Sequence, residues 1–227
     1  QFFLANDTPN FLFSIDLATH QVDKRRQFAG SFYTEVKLDS PDGASSVLIY
    51  KIENPFDSTA RAKLVYREIH LMRTLKHENI VKLLRTYKDD NEQNDSQSIY
   101  YITDFCGVRL GEKIVEGRYS MVYVKKWTTE LLRAVAYLHS KGIIHGNLHP
   151  GNMCIDATNK LTITGFGSSH ESIIDPLNHE TAVSESISIY MPIEQLTGWS
   201  EAYDEKVDIW SISIILWELL TGKPLFD

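Results

Sequence analysis

HGNLHPGN at 145–152, followed by TGFG at 164–167, is the stretch on which the reading of this chain turns. His145 and His149 stand four apart, a spacing that would align two ligands on a helix, but Gly146 and Pro150 argue against a helix there. Zinc needs more than two ligands, so no metal site is expected and His145 reads as a core histidine. Before the stretch, Val124, Trp127, Leu131, Ala134 and Leu138 recur at helical spacing up to His139. After it, DIWSISIILWELL at 208–220 is apolar on nearly every face, as expected of a helix buried in a core. The first part of the chain carries short strand-like runs instead. They are FLFSIDL at 11–17, FYTEVKL at 32–38, SVLIYKI at 46–52, IVKLLRTY at 80–87 and SIYYITDF at 98–105. Pro41-Asp42-Gly43 reads as a hairpin turn, and KDDNEQNDSQ as a solvated loop. Val65, Ile69 and Met72 predict a helix ending before His77-Glu78-Asn79. Strands first and helices later make the fold class α+β.

Composition is that of an ordinary domain: 227 residues, 43 % hydrophobic and 23 % charged, enough to bury a sizeable core. A net charge of −7 argues against a general affinity for nucleic acid or anionic membrane. Two cysteines, Cys106 and Cys154, point to a reducing compartment rather than a disulfide framework. No apolar run reaches 18 residues and the polar start has no leader pattern, so the cytoplasm or nucleus is the default and no membrane is expected. Asn6 and Asn94 fit the glycosylation acceptor pattern, which is read as chance without a secretory signal.

The spacing of HGNLHPGN and TGFG resembles the protein-kinase catalytic loop H-R-D-L-x-x-x-N and its D-F-G. The resemblance covers nearly the whole chain. ENPFDSTARAKLVYREIHLMRTLKHENIVKLL at 53–84, YITDFCG at 101–107 and TGKPLF at 221–226 look most like a mitogen-activated protein kinase of the stress-activated branch. It implies a bilobal fold. A small, mainly β N-lobe with one αC helix occupies 1–103, and the hinge with a mainly helical C-lobe, truncated after the αF region, occupies 104–227.

Both family aspartates are missing. Asn147 stands where the catalytic carboxylate belongs and Gly165 where the metal-holding carboxylate belongs. Asparagine cannot take a proton near neutral pH, and glycine cannot hold magnesium. Asn152 matches the second metal ligand, but one neutral amide is a poor magnesium site. His149 replaces a lysine, removing a permanent charge. The family's glycine-rich loop falls on Ala29, Gly30, Ser31, Phe32, Tyr33 and Thr34, with none of its glycines in place.

The strand lysine has two registers. Counting back from Pro55-Phe56 or Glu68 selects Tyr50; counting forward from Val36 selects Lys51. Strand parity favours Tyr50, with Leu48, Tyr50 and Ile52 inward and Lys51 solvated. Leu48 then replaces a small alanine and, beside Val36 and Met153, fills the apolar column that adenine otherwise completes, contributing roughly 1.5–3 kcal/mol on burial. Thr103, Asp104 and Cys106 line the hinge side of the implied nucleotide cleft. Glu68 holds the position of the αC glutamate, with Lys51, Tyr50 or solvent as its neighbour.

By the same resemblance, Met72, Leu83, His145 and Phe166 form a structural spine anchored by Asp208. The phosphorylation switch reads Ala182-Val183-Ser184, with Ser184, Ser186 and Ser188 as single sites at most, and the A-P-E motif reads Pro192-Ile193-Glu194. The absent later helices suggest a fragment, or a protein whose remainder is supplied elsewhere. The expectation is a catalytically inactive pseudokinase, with no cofactor, that binds a protein partner such as a kinase or regulator of a signalling cascade as scaffold or allosteric modulator. The alternatives are an atypical serine/threonine kinase with residual ATP and magnesium chemistry, or an ATP sensor without turnover.

Overall fold

The structure, a computed structural model, describes residues 33–39, 46–88, 98–114, 119–171, 189–197 and 204–226. The runs at 11–17, the turn at 41–43, the loop at 89–97, Asn6 and Asn94 lie outside the described residues. The chain divides into two compact units, one of 1–62 with 83–105 and one of 63–82 with 106–227.

The first unit is a four-stranded antiparallel sheet. Its strands are β1 (Tyr33–Asp39), β2 (Ser46–Glu53), β3 (Leu83–Lys88) and β4 (Ser98–Asp104), in the order β1-β2-β4-β3. β2 is rich in β-branched and aromatic residues, which suit a half-buried pleated surface. Its alternation builds two different faces. Leu48, Tyr50 and Ile52 share one with Thr103, Tyr101 and Ile99 of β4, all buried. Ile49 and Ile102 occupy the other, with Val47, Tyr87 and Tyr100 packed against them. The predicted strand at 80–87 is divided: Leu83 begins β3, whereas Ile80 forms a parallel bridge to Ile163 and the Val81 N–H donates to the Ile163 carbonyl at 3.0 Å.

The second unit takes most of helix α1 (Thr59–Thr74), whose fully buried residue is Met72. It continues through β5 (Val108–Arg109), α2 (Leu110–Ile114), α3 (Met121–Ser140), β6 (Ile143–Ile144), β7 (Met153–Ile155), β8 (Leu161–Ile163), β9 (His170–Glu171), α4 (Ile193–Thr197) and α5 (Lys206–Thr221). Helix α3 buries the predicted stripe from Val124 to Leu138 and packs on α5 and β8. The β7–β8 hairpin is tied to α3 through Asn159, whose carbonyl accepts from Trp127 Nε1 at 3.0 Å and Lys126 Nζ at 2.7 Å.

One expectation needs correcting. Helix α5 buries Val207, Asp208, Ser211, Ile212, Ile214, Ile215, Glu218 and Leu219, but Ile209, Trp210, Trp217 and Leu220 are 41–45 % exposed. An all-round apolar composition does not choose a face; packing against α3 does. No helix among the described residues is long and apolar enough to cross a membrane.

Candidate functional site

The loop at 145–152 hangs on one buried carboxylate. Asp208, in the first turn of α5, is 1 % exposed and accepts the backbone N–H groups of His145 and Gly146, each at 2.9 Å. His139 Nε2 lies 2.8 Å from the same group. A carboxylate this deep persists when its lone pairs are filled by donors. The first two loop carbonyls are satisfied as well: Ser169 Oγ donates to that of His145 and Gln195 Nε2 to that of Gly146, both at 3.1 Å.

His145 is fully buried, and burial lowers its pKa despite the nearby Asp208 charge. Nε2 lies 3.0 Å from the Thr164 carbonyl and Nδ1 is 3.4 Å from the Asn147 N–H, so the network assigns the proton of the neutral ring to Nε2. The ring packs on Phe166 at 5.1 Å between centroids.

Pro150–Asn152 form a single 3₁₀ turn, for which proline at the start is suited and His149 acts as the cap. His149 Nδ1 accepts the Gly151 N–H at 3.1 Å. Burial, then competition with the neighbouring His145 for a proton and the charge of Arg109, push its pKa down to about 4, so it is neutral at physiological pH. Its ring lies 6.1 Å from that of Tyr190. The Tyr190 hydroxyl donates to Glu218 at 2.7 Å, and burial followed by this carboxylate holds the phenol pKa well above its usual range.

Asn147 sits half-buried on the loop. Asn152 is held more firmly: its N–H donates to the His149 carbonyl at 2.9 Å, its carbonyl accepts the Thr164 N–H at 2.9 Å, and its side-chain Nδ2 donates to the Asn147 carbonyl at 3.1 Å. Gly165 has φ +80°, where any residue with a side chain is strained. A Cβ built on it would lie 2.6 Å from Asn152 Cγ. Phe166 and Met153 are buried beside it in sequence and across the β7–β8 hairpin. From α1, Arg67 reaches the Gly167 carbonyl at 3.4 Å, and half-buried Glu68 places Oε2 3.7 Å from where a Gly167 Cβ would stand.

In the sheet unit, Leu48 and Tyr50 are 3 % and 4 % exposed. Tyr50 stacks on Tyr101 at 4.5 Å and 17°. Lys51 lies on the other face, its Nζ 2.7 Å from Glu53. Thr103 is buried opposite Leu48, and half-buried Leu83 pairs with Thr103 from the far side. Asp104 is exposed and, in the second unit, Cys106 is buried. The expected column of Leu48 beside Val36 is corrected by the register. Val36 pairs with Ile49, Lys37 with Leu48 and Thr34 with Lys51, so Val36 is one step out of line with Leu48. Ala29, Gly30, Ser31 and Phe32, and the switch at 182–188, lie outside the described residues.

Sequence reasoning missed Arg109. It is 7 % exposed and donates from Nη1 to Thr164 Oγ1 at 2.9 Å, while that hydroxyl donates to the Asn152 carbonyl at 3.1 Å. A two-residue strand carries no periodicity from which its inward side could be read. Among the described residues, no three His, Cys, Asp or Glu side chains gather as ligands for a metal.

Comparison with known proteins agrees with this geometry. The profile described as "Protein kinase domain" matches residues 30–227. The zebrafish (Danio rerio) mitogen-activated protein kinase 12 is 33 % identical over 189 residues, 83 % of this chain and 50 % of the relative. The Debaryomyces hansenii mitogen-activated protein kinase HOG1 is 34 % identical over 181 residues, 80 % of this chain and 44 % of the relative. The Caenorhabditis elegans mitogen-activated protein kinase pmk-1 is 30 % identical over 197 residues, 87 % and 51 % respectively. The chain thus spans about half the length of the curated relatives it matches.

Proposed function

The chain belongs to the protein kinase domain family, and from that premise we propose that it is a catalytically inactive member that acts as a scaffold or allosteric modulator of a kinase signalling cascade. One observation carries the reading: a loop whose His145 and Gly146 N–H groups are both held by Asp208 presents Asn147 and Gly165 where phosphoryl transfer needs carboxylates. The frame is kept and the proton acceptor and metal holder are not. The residues present do not fit magnesium, which favours carboxylates and phosphates. The Asn152 amide gives its Nδ2 to the Asn147 carbonyl, and His149 is a neutral ring. Tyr50 at the lysine position is stacked on Tyr101 and offers no cation to a phosphate.

Such a protein works by what it touches. The relatives are named mitogen-activated protein kinases, which supports a kinase or regulator of such a cascade as the protein partner, met in the cytoplasm or nucleus. Isothermal titration of the purified chain with ATP, with and without magnesium or manganese, tests the reading. The expected result is no heat at millimolar nucleotide and a melt that nucleotide leaves unmoved. Binding in that range would overturn it and lead to a serine/threonine phosphotransfer assay with Lys51→Ala as control.

A further inference from the structure

We infer that Gly165 and Asn152 form one packed unit in which the Asn152 amide occupies the side-chain space of residue 165, so that the space a metal-holding side chain would need there is sterically closed as well as stripped of a ligand. The inference rests on the proposed function only in taking these two positions as those the family uses for metal.

A Cβ on Gly165 would stand 2.6 Å from Asn152 Cγ and 2.7 Å from both Nδ2 and Oδ1, closer than nonbonded carbon is found to any of them. Asn152 cannot back away, because its backbone is held on both sides: N–H to the His149 carbonyl at 2.9 Å, carbonyl to the Thr164 N–H at 2.9 Å and to Thr164 Oγ1 at 3.1 Å. Arg109 braces that hydroxyl from behind at 2.9 Å. The remaining relief is to rotate the amide, which breaks the Nδ2 bond to the Asn147 carbonyl inside a site where Asn152 is itself buried. Restoring an aspartate at 165 would therefore meet an obstacle before it met a metal.

A double-mutant cycle separates the two difficulties at residue 165. The strain of a side chain at φ +80° is present whatever stands at 152 and cancels, whereas the contact with Asn152 does not. Melts would be recorded for the unaltered chain, Gly165→Ala, Asn152→Ala and the double variant. Gly165→Ala is expected to lower Tm by roughly 4–8 °C, and the double variant to melt ~2–4 °C above the sum of the single losses. Losses that add within about 1 °C overturn the inference. Gly165→Asp, titrated with magnesium chloride and manganese chloride alone, is expected to give no binding heat, and magnesium binding by that single variant would also overturn it. If Gly165→Asp does not fold, the alanine cycle decides by itself. Additive melts with no ATP binding sink this inference alone; non-additive melts with ATP binding sink the proposed function alone.

Discussion

The loop at 145–152 and strand β2 depart from the kinase pattern in opposite directions. On the proposed alignment the loop has lost charge: Asn147 and Gly165 stand where the family has carboxylates, and neutral His149 where it has a cation. Its backbone bonds to Asp208 remain in place. On the same alignment the strand has gained bulk, with Leu48 and Tyr50 buried on one face and Tyr50 stacked on Tyr101. The difference teaches that frame and chemistry rest on separate atoms. Loop shape depends on backbone amides and one anchor, so polar tips can change without unfolding it. On the strand, the same side chains that would serve a ligand also belong to the packed face, so change there alters the core.

That comparison is broken or sharpened by three measurements. The largest effect is expected at the loop's anchor: Asp208→Ala leaves the His145 and Gly146 N–H groups buried without their acceptor, costing roughly 3–5 kcal/mol and lowering Tm by about 10 °C. A chemical denaturation curve checks it, and a loss below about 1 kcal/mol would mean the frame does not hang on this residue. Next comes Tyr50→Lys, which supplies the lysine of the proposed register but sets an ammonium at a position 4 % exposed and removes the stack on Tyr101, costing ~3 kcal/mol. Asn147→Asp, on the half-buried loop surface, is expected to change stability by less than about 1 kcal/mol. Equal effects of the two variants would erase the contrast between loop and strand.

A separate effect, intermediate between those of the strand and the loop-surface variants, is a dependence on pH. Burial depresses the His149 pKa to about 4, below its value in the unfolded chain, so between those values the unfolded state binds more protons. Stability is complete above the unfolded value and falls as pH drops toward 4, by ~2 kcal/mol from pH 7 to pH 5 for this residue. Burial lowers His145 and His170 in the same direction. His149→Asn keeps an acceptor for the Gly151 N–H and removes the titration, so its Tm should vary less over that range. A variant with an unchanged pH profile would assign the dependence to the other two histidines.

Much of the fold was legible because local signals were strong. The stripe from Val124 to Leu138 has one answer at helical period, and α3 buries it. Alternation on β2 likewise separates Tyr50 from Lys51. Helix α5 was misread because apolar residues on every side leave no period to follow, and its exposed Trp210 and Trp217 are a matter of where α3 packs. Val36 was placed beside Leu48 by counting, whereas pairing with Ile49 is set by the hairpin's register, which counting along one strand does not contain.

By itself, the sequence determined which groups can react: no carboxylate at 147 or 165, no lysine at 50 or 149, and a kinase-like order of strands and helices. Chemical identity is a property of each residue alone. Only the tertiary structure decided where the Asn152 amide rests, that Arg109 turns inward to Thr164, and that one aspartate carries the loop. Those are contacts between residues far apart along the chain, and packing chooses among them after the local pattern has been satisfied.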